Sequence, residues 1–134
     1  MNAQPLDGEE IRLLTELGFV AAGAAQIRRA EEIFRALVLL RPQRAFPYVG
    51  WALAHLNVGQ AQEAVSVLDR ARAALGTAQD NAELVDVETF RGLALQFASR
   101  SAESRRALEW AADRQGLSST GRFARRLLGL ELVD

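Results

Sequence analysis

The chain has 134 residues and a mass of 14.7 kDa, enough for one domain that buries roughly two-thirds of the surface its unfolded form exposes. With 49% hydrophobic residues and a net charge of -1, the composition excludes wholesale disorder, a strongly basic nucleic-acid binder and an acidic tail. Cysteine is absent, which removes disulfides, thiolate catalysis and Cys-ligated metals together. All 16 basic residues are Arg, a bias that a GC-rich genome produces without selection for guanidinium chemistry. The opening MNAQPLDGEE is acidic and lacks the basic start and apolar run of a signal peptide, so a cytosolic protein is expected. The longest stretch without charged side chains, Ala45 to Gln62, carries a Pro, a His, an Asn and two Gln, which disfavours a membrane span.

In chain order, Met1 to Leu6 form a short lead-in. Asp7 followed by Glu10 has the spacing of a capping box and starts a first helix that carries Ile11, Leu14, Leu17, Gly18 and Ala21 to about Ala24. A second helix from Gln26 carries Ile27, Ala30, Phe34, Leu37 and Leu40 until Pro42 stops it. The next stretch, Ala45 to Val58, is apolar on nearly every side. As a helix it puts Tyr48, Trp51, Ala52 and His55 on one face and Phe46, Val49, Leu53 and Leu56 on another, so it needs partners on both. Its hairpin partner, from Gln60, carries Ala64, Val67, Leu68, Ala71 and Leu75 before Gly76.

The two hairpins repeat one another at a constant shift. Leu14, Leu17, Gly18, Ala21, Ala30, Phe34 and Pro42 correspond to Tyr48, Trp51, Ala52, His55, Ala64, Leu68 and Gly76. Both the shift and the spacing resemble the tetratricopeptide repeat, W-x2-L-G-x2-Y then A-x3-F then P with a period of about 34 residues, in which small residues let paired helices approach closely. Such hairpins leave a face uncovered alone and bury it by stacking. A third, worn unit follows a loop insertion, GTAQDN. Asp80 with Glu83 repeats the capping spacing, and Phe90, Leu93, Ala94 and Phe97 repeat the spacing of Tyr48, Trp51, Ala52 and His55. In that register Arg106 falls where a small residue is expected, so Ala107, Leu108, Trp110 and Ala111 pack in a shifted register. Ser118, Ser119 and Thr120 offer an N-cap for a last helix with Phe123, Ala124, Leu127, Leu128 and Leu130, which covers the open end. The expectation is an all-α right-handed stack of about three hairpins, at about 11–44, 45–78 and 87–116, with a capping helix at about 119–132.

Resemblance to the repeat class implies that the first helices line a concave surface that binds extended or helical peptides. In register, the inward residues are Arg12, Thr15, Phe19 and Ala22, then Phe46, Val49, Leu53, Leu56 and Asn57, then Glu88, Arg91 and Leu95. Phe46, Val49 and Leu53 would bury client side chains, and Arg12, Glu88 and Arg91 would fix orientation. Repeats that clamp a C-terminal carboxylate use basic and Asn residues in this groove, whereas apolar residues dominate here. Alternatively, the chain's own terminal helix or a second subunit covers the groove.

The whole chain also resembles the small cytosolic chaperones of bacterial type III secretion. The likeness rests on size, on LLTELGFVAAGAAQIRRAEEIFRALVLLRPQ leading into a Gly- and Ala-patterned second repeat, and on the degenerate third; it covers about residues 11 to 112. It implies a protein that holds an amphipathic export substrate or apparatus subunit until secretion, with a homodimer possible when empty. The shorter group serving early substrates fits this length. A generic scaffold for soluble partners is the rival reading. An enzyme would need converging acid, base or nucleophile residues, and the only His, His55, sits at a repeat core position. Glu31 with Glu32, and Asp7 with Glu9 and Glu10, read as solvated faces and caps, so neither a metal nor a cofactor is expected. A nucleic-acid surface would rest on Arg100, Arg105, Arg106, Arg114, Arg122, Arg125 and Arg126, but Glu103, Glu109 and Asp113 interrupt it and no aromatic stacking platform accompanies it.

Overall fold

Helix boundaries follow local chemistry. Asp7 accepts from the Glu10 amide at 2.8 Å while Glu10 accepts from the Asp7 amide at 3.0 Å, a complete capping box. The computed structural model describes residues 6–76 and 81–130, and among them there are seven helices and no strand. They are α1 (Gly8–Gly23), α2 (Ile27–Leu40), α3 (Phe46–Asn57), α4 (Ala61–Leu75), α5 (Ala82–Phe97), α6 (Ser101–Ala112) and α7 (Thr120–Gly129). Pro42 lies beyond the end of α2, and Pro47 sits in the first turn of α3, where its missing amide costs nothing. Gly76 ends α4 with φ +84°, a conformation that favours glycine. The cap of α5 is Asn81, whose side chain accepts from the Glu83 amide at 2.9 Å. Glu83 is not its box partner: its carboxylate accepts from the Ala45 amide at 2.6 Å and from Arg44 at 3.2 Å. Asp80, most of the expected lead-in and the last residues of the expected capping helix lie outside the described residues. The first residue before α7, Ser119, makes no side-chain cap; Ser118 instead donates to Asp86.

Three equivalent turns fix the register of the hairpins. Ala25, Gly59 and Ser99 have φ of 60°, 78° and 62°, and the next amides, of Gln26, Gln60 and Arg100, each donate at 2.9 Å to Ala21, His55 and Leu95. The step from Ala25 to Gly59 is the repeat period itself, and the step from Gly59 to Ser99 is longer chiefly because α5 begins about one helical turn earlier than α3 does, and not because of the loop insertion expected after α4. Helix contacts agree. A Cβ on Gly18 would lie 2.8 Å from the Phe34 ring, and one on Gly92 would lie 2.6 Å from Leu108. Ser104, fully buried, donates to the Gly92 carbonyl at 2.7 Å. Thus Gly18, Ala52 and Gly92 correspond, as do Ala30, Ala64 and Ser104, and Phe34, Leu68 and Leu108. In the third unit Glu88, rather than Phe90, corresponds to Tyr48. Ser104 takes the small position expected at Arg106, which is exposed.

Helices α1, α3, α5 and α7 form one row, each packed on the next; α2, α4 and α6 form the other and pack only on members of the first. Phe34, Leu37, Leu68, Leu95 and Leu108 are fully buried between the rows. The two ends differ. Helix α7 packs on α5 and α6, burying Ala124 and Leu127 and leaving Arg122, Arg125 and Arg126 outside. Among the described residues no hairpin precedes α1. Its Leu13, Leu17 and Val20 are therefore 50%, 58% and 67% exposed, although the equivalent Pro47, Trp51 and Ala54 are buried. Leu17, expected in the core, is thus at the surface.

Candidate functional site

The row of α1, α3 and α5 brings the same helical positions of three repeats side by side. Phe19, Leu53 and Leu93 form one rung; Ala22, Leu56 and Gln96 form the next; Gly23, Asn57 and Phe97 form the last. Apart from Gln96, these residues line an open concavity of about 430 Å³. Phe97 and Phe19 are 68% and 40% exposed, and Leu53, Leu56 and Leu93 are half-buried. Phe19 is held edge-on against the core Phe34, with ring centroids 5.1 Å apart. Asn57 donates to the Ala22 carbonyl at 2.8 Å, tying α3 to α1 across the floor. The surface is apolar, pre-shaped and open to solvent.

The other end of the row is polar and already engaged. Arg12 is exposed and pairs within its own helix with Glu9 at 3.6 Å and Glu16 at 3.8 Å, contacts that water screens strongly. Thr15 donates to the Ile11 carbonyl at 2.7 Å, Phe46 lies under the Arg44 guanidinium at 5.7 Å, and Val49 is buried. On α5, Asp86 accepts from Ser118 and Thr120, both at 2.6 Å, and Thr89 is fully buried. These contacts dock α7, which does not reach α1 or α3, so α7 leaves the concavity uncovered.

Of the inward residues expected from sequence, Phe19, Ala22, Leu53, Leu56 and Asn57 line this concavity. Glu88, Arg91 and Leu95 do not, because the third unit is shifted by about half a helical turn from the expected register. Leu95 is a fully buried core residue, and Glu88 and Arg91 face α4. Gly23, Leu93 and Phe97 take part instead; the signal that finds them is the small residue before each hairpin's second helix, Ala25, Gly59 and Ser99.

Glu88 and Arg91 belong to a second cavity, of about 660 Å³, between α4, α5 and α6. Arg91 Nε lies 2.8 Å from Asp69, and the Glu88 carboxylate lies 3.1 Å from Arg72 and 3.7 Å from Arg91. Burial pushes the Glu88 carboxyl above its ordinary range, and the two guanidiniums offset part of that rise. At the rim, two hydrogen bonds of 2.8 Å from Arg100 hold the Glu103 carboxyl below its ordinary range. His55 is buried between Glu31 Oε2 at 3.3 Å and Gln60 at 2.7 Å, and Glu31 also accepts from Trp51 Nε1 at 3.0 Å. That is a satisfied polar contact between α2 and α3. Among the described residues no three His, Asp or Glu side chains are grouped to hold a metal, and no helix is long and apolar enough to cross a membrane.

No family model matches the chain, and no curated protein does. Among solved structures it is similar to the Arabidopsis OM64 TPR domain, with a TM-score of 0.63 and 21% identity over 92% of this chain and 97% of that one. The likeness shows the fold: an all-α stack of tetratricopeptide-like hairpins with a helix closing one end.

Proposed function

We propose that the chain is a non-catalytic protein-binding module whose partner seats apolar side chains in the concavity of α1, α3 and α5. One observation carries this reading: Phe19, Leu53, Leu56, Leu93 and Phe97 converge on one open surface that no described part of the chain covers. Each apolar anchor that a partner buries fully there contributes at most about 1.5–3 kcal/mol before the cost of association. Because none of the described residues lining this surface is a cation, the partner is chosen by an apolar or amphipathic face rather than by a terminal carboxylate.

The finer reading rests on the resemblance of residues 11–112 to type III secretion chaperones. On it, the protein is cytoplasmic and holds a small secreted substrate or apparatus subunit whose apolar helix would otherwise aggregate. The empty protein pairs with a second copy through Leu13, Leu17 and Val20, at positions that a hairpin covers in α3 and α5. Purification of the tagged protein at low and high salt, with mass spectrometry of stoichiometric partners, tests the first part. One small amphipathic protein retained at high salt supports it; a soluble, independently folded assembly favours a scaffold instead. Phe97→Glu, at a largely exposed residue of this surface, is expected to abolish capture while leaving melting nearly intact. Leu17→Glu is expected to turn a sedimenting dimer into a monomer.

A further inference from the structure

The two ends of the stack differ in charge as well as in cover. Leu13, Leu17 and Val20 recur at helical spacing and form one outward stripe on α1, each half-exposed or more. At about 100° per residue, Glu9 and Glu16 flank that stripe on one side and Glu10 flanks it on the other. The helix and its cap thus carry Asp7, Glu9, Glu10 and Glu16 against the single cation Arg12. At the other end α7 reads TGRFARRLLG, with three arginines and no carboxylate. Arg122 and Arg126 share a line along the helix with the exposed Leu130, and Arg125 lies beside them. All three arginines are exposed, and none has an ion-pair partner among the described residues.

The two faces fit one another better than either fits a copy of itself. Two α1 faces brought together oppose three glutamates to three, and two α7 faces oppose three arginines to three, arrangements that like-charge repulsion disfavours. An α7 face set on an α1 face pairs arginines with glutamates instead. The apolar arginine stems then lie over Leu13, Leu17 and Val20 while the guanidiniums reach the flanking carboxylates. The contacts of Arg12 with Glu9 and Glu16, largely exposed at 3.6 and 3.8 Å, are too weak to hold those carboxylates back. Building on the reading that a second copy covers Leu13, Leu17 and Val20, we propose that copies associate head to tail, the α7 end of one seated on the α1 face of the next. Such a pair keeps one α1 face and one α7 face free, so the association lengthens with concentration. Leu13, Leu17, Val20 and the three arginines all lie outside the lining of the concavity of α1, α3 and α5.

Sedimentation of the full chain tests this with two variants and their mixture. Leu17→Glu spoils the α1 face, and Arg122→Glu with Arg126→Glu spoils the α7 face; all three positions are exposed, so both variants are expected to melt as the wild type does. Each variant alone is expected to be monomeric at concentrations where the wild type associates. Mixed in equal amounts, they are expected to form a one-to-one complex that grows no further, because only one compatible pair of faces remains. Raising salt from about 0.05 to about 0.5 M is expected to weaken wild-type association by about tenfold or more. Association of the arginine variant by itself, a mixture that stays monomeric, or wild-type association that strengthens with salt would each overturn the head-to-tail contact while leaving pairing through α1 standing. A wild type that stays monomeric at about 100 μM would leave the α1 face to a different protein and overturn both.

Discussion

The second and third hairpins share a backbone frame and differ in what fills it. In the second, the guanidiniums of Arg35 and Arg70 each lie 5.7 Å from the centroid of the Trp51 ring, which donates its indole N–H to Glu31. In the third, Arg91 occupies that position and is held by Asp69 and Glu88, with open space beside it. The turns before α2, α4 and α6 nevertheless keep the same left-handed conformation, with φ of 60°, 78° and 62°. Register in this fold is thus set by tight turns and close helix approaches. The filling between hairpins is free to change from aromatic to ionic.

Substitutions that attack each filling should separate the two hairpins. The largest effect is expected in the second, where Trp51→Ala removes a buried ring and leaves a void, costing about 3–5 kcal/mol in denaturant unfolding. Arg91→Ala in the third should cost less than Trp51→Ala in the same measurement, because it already borders open space. If the two costs were equal, the ionic filling would be as well packed as the aromatic one. Next in size is the frame itself. Gly92→Val forces a side chain into Leu108, which a bare Cβ would already approach to 2.6 Å, and should cost about 1–3 kcal/mol. Ser104→Ala removes the hydrogen bond to the Gly92 carbonyl and should cost about 1 kcal/mol. A neutral result at both sites would remove the support for pairing Gly92 with Gly18 and Ser104 with Ala30.

The smallest effect concerns pH. The Glu88 carboxyl is held above its ordinary value of 4.5 chiefly by burial, so the folded protein keeps its proton to higher pH than the unfolded chain does. Within that window the native state binds more protons, and stability falls as pH rises from 4.5 through the folded pKa, then levels. The melting temperature of the wild type, taken relative to Glu88→Gln, should decline over that window. A rising difference would mean that Arg72 and Arg91 outweigh burial.

The same contrast explains what could be read in the sequence. The helices were legible because apolar residues recur at helical spacing and because Asp7, Glu10, Pro42 and Gly76 mark ends. The first two hairpins were legible because Gly18 with Phe34 and Ala52 with Leu68 keep their shape and spacing. The third was misplaced because Phe90, Leu93, Ala94 and Phe97 imitate the aromatic and small pattern, while the true equivalents of Tyr48 and Trp51 are charged. That error carried Glu88, Arg91 and Leu95 into the expected groove and left out Leu93 and Phe97. The register of α1 and α3 is as expected, so Phe19, Ala22, Leu53, Leu56 and Asn57 do line the concavity, whereas Arg12, Thr15, Phe46 and Val49 lie towards the other end of the row. The exposure of Leu17 was hidden for a different reason: a repeat pattern describes a residue inside a stack, and α1 stands at the edge of the described one.

Whether the protein meets its partner in the concavity of α1, α3 and α5 can be decided by placing a photo-crosslinking amino acid at Phe97 or at Leu39 in cells. Both residues are exposed and apolar, at 68% and 83%, but Leu39 lies on α2, outside the concavity. One discrete crosslinked protein is expected from Phe97 and none from Leu39. Crosslinking from Leu39 alone would move the partner to the outer row of helices and refute the assignment.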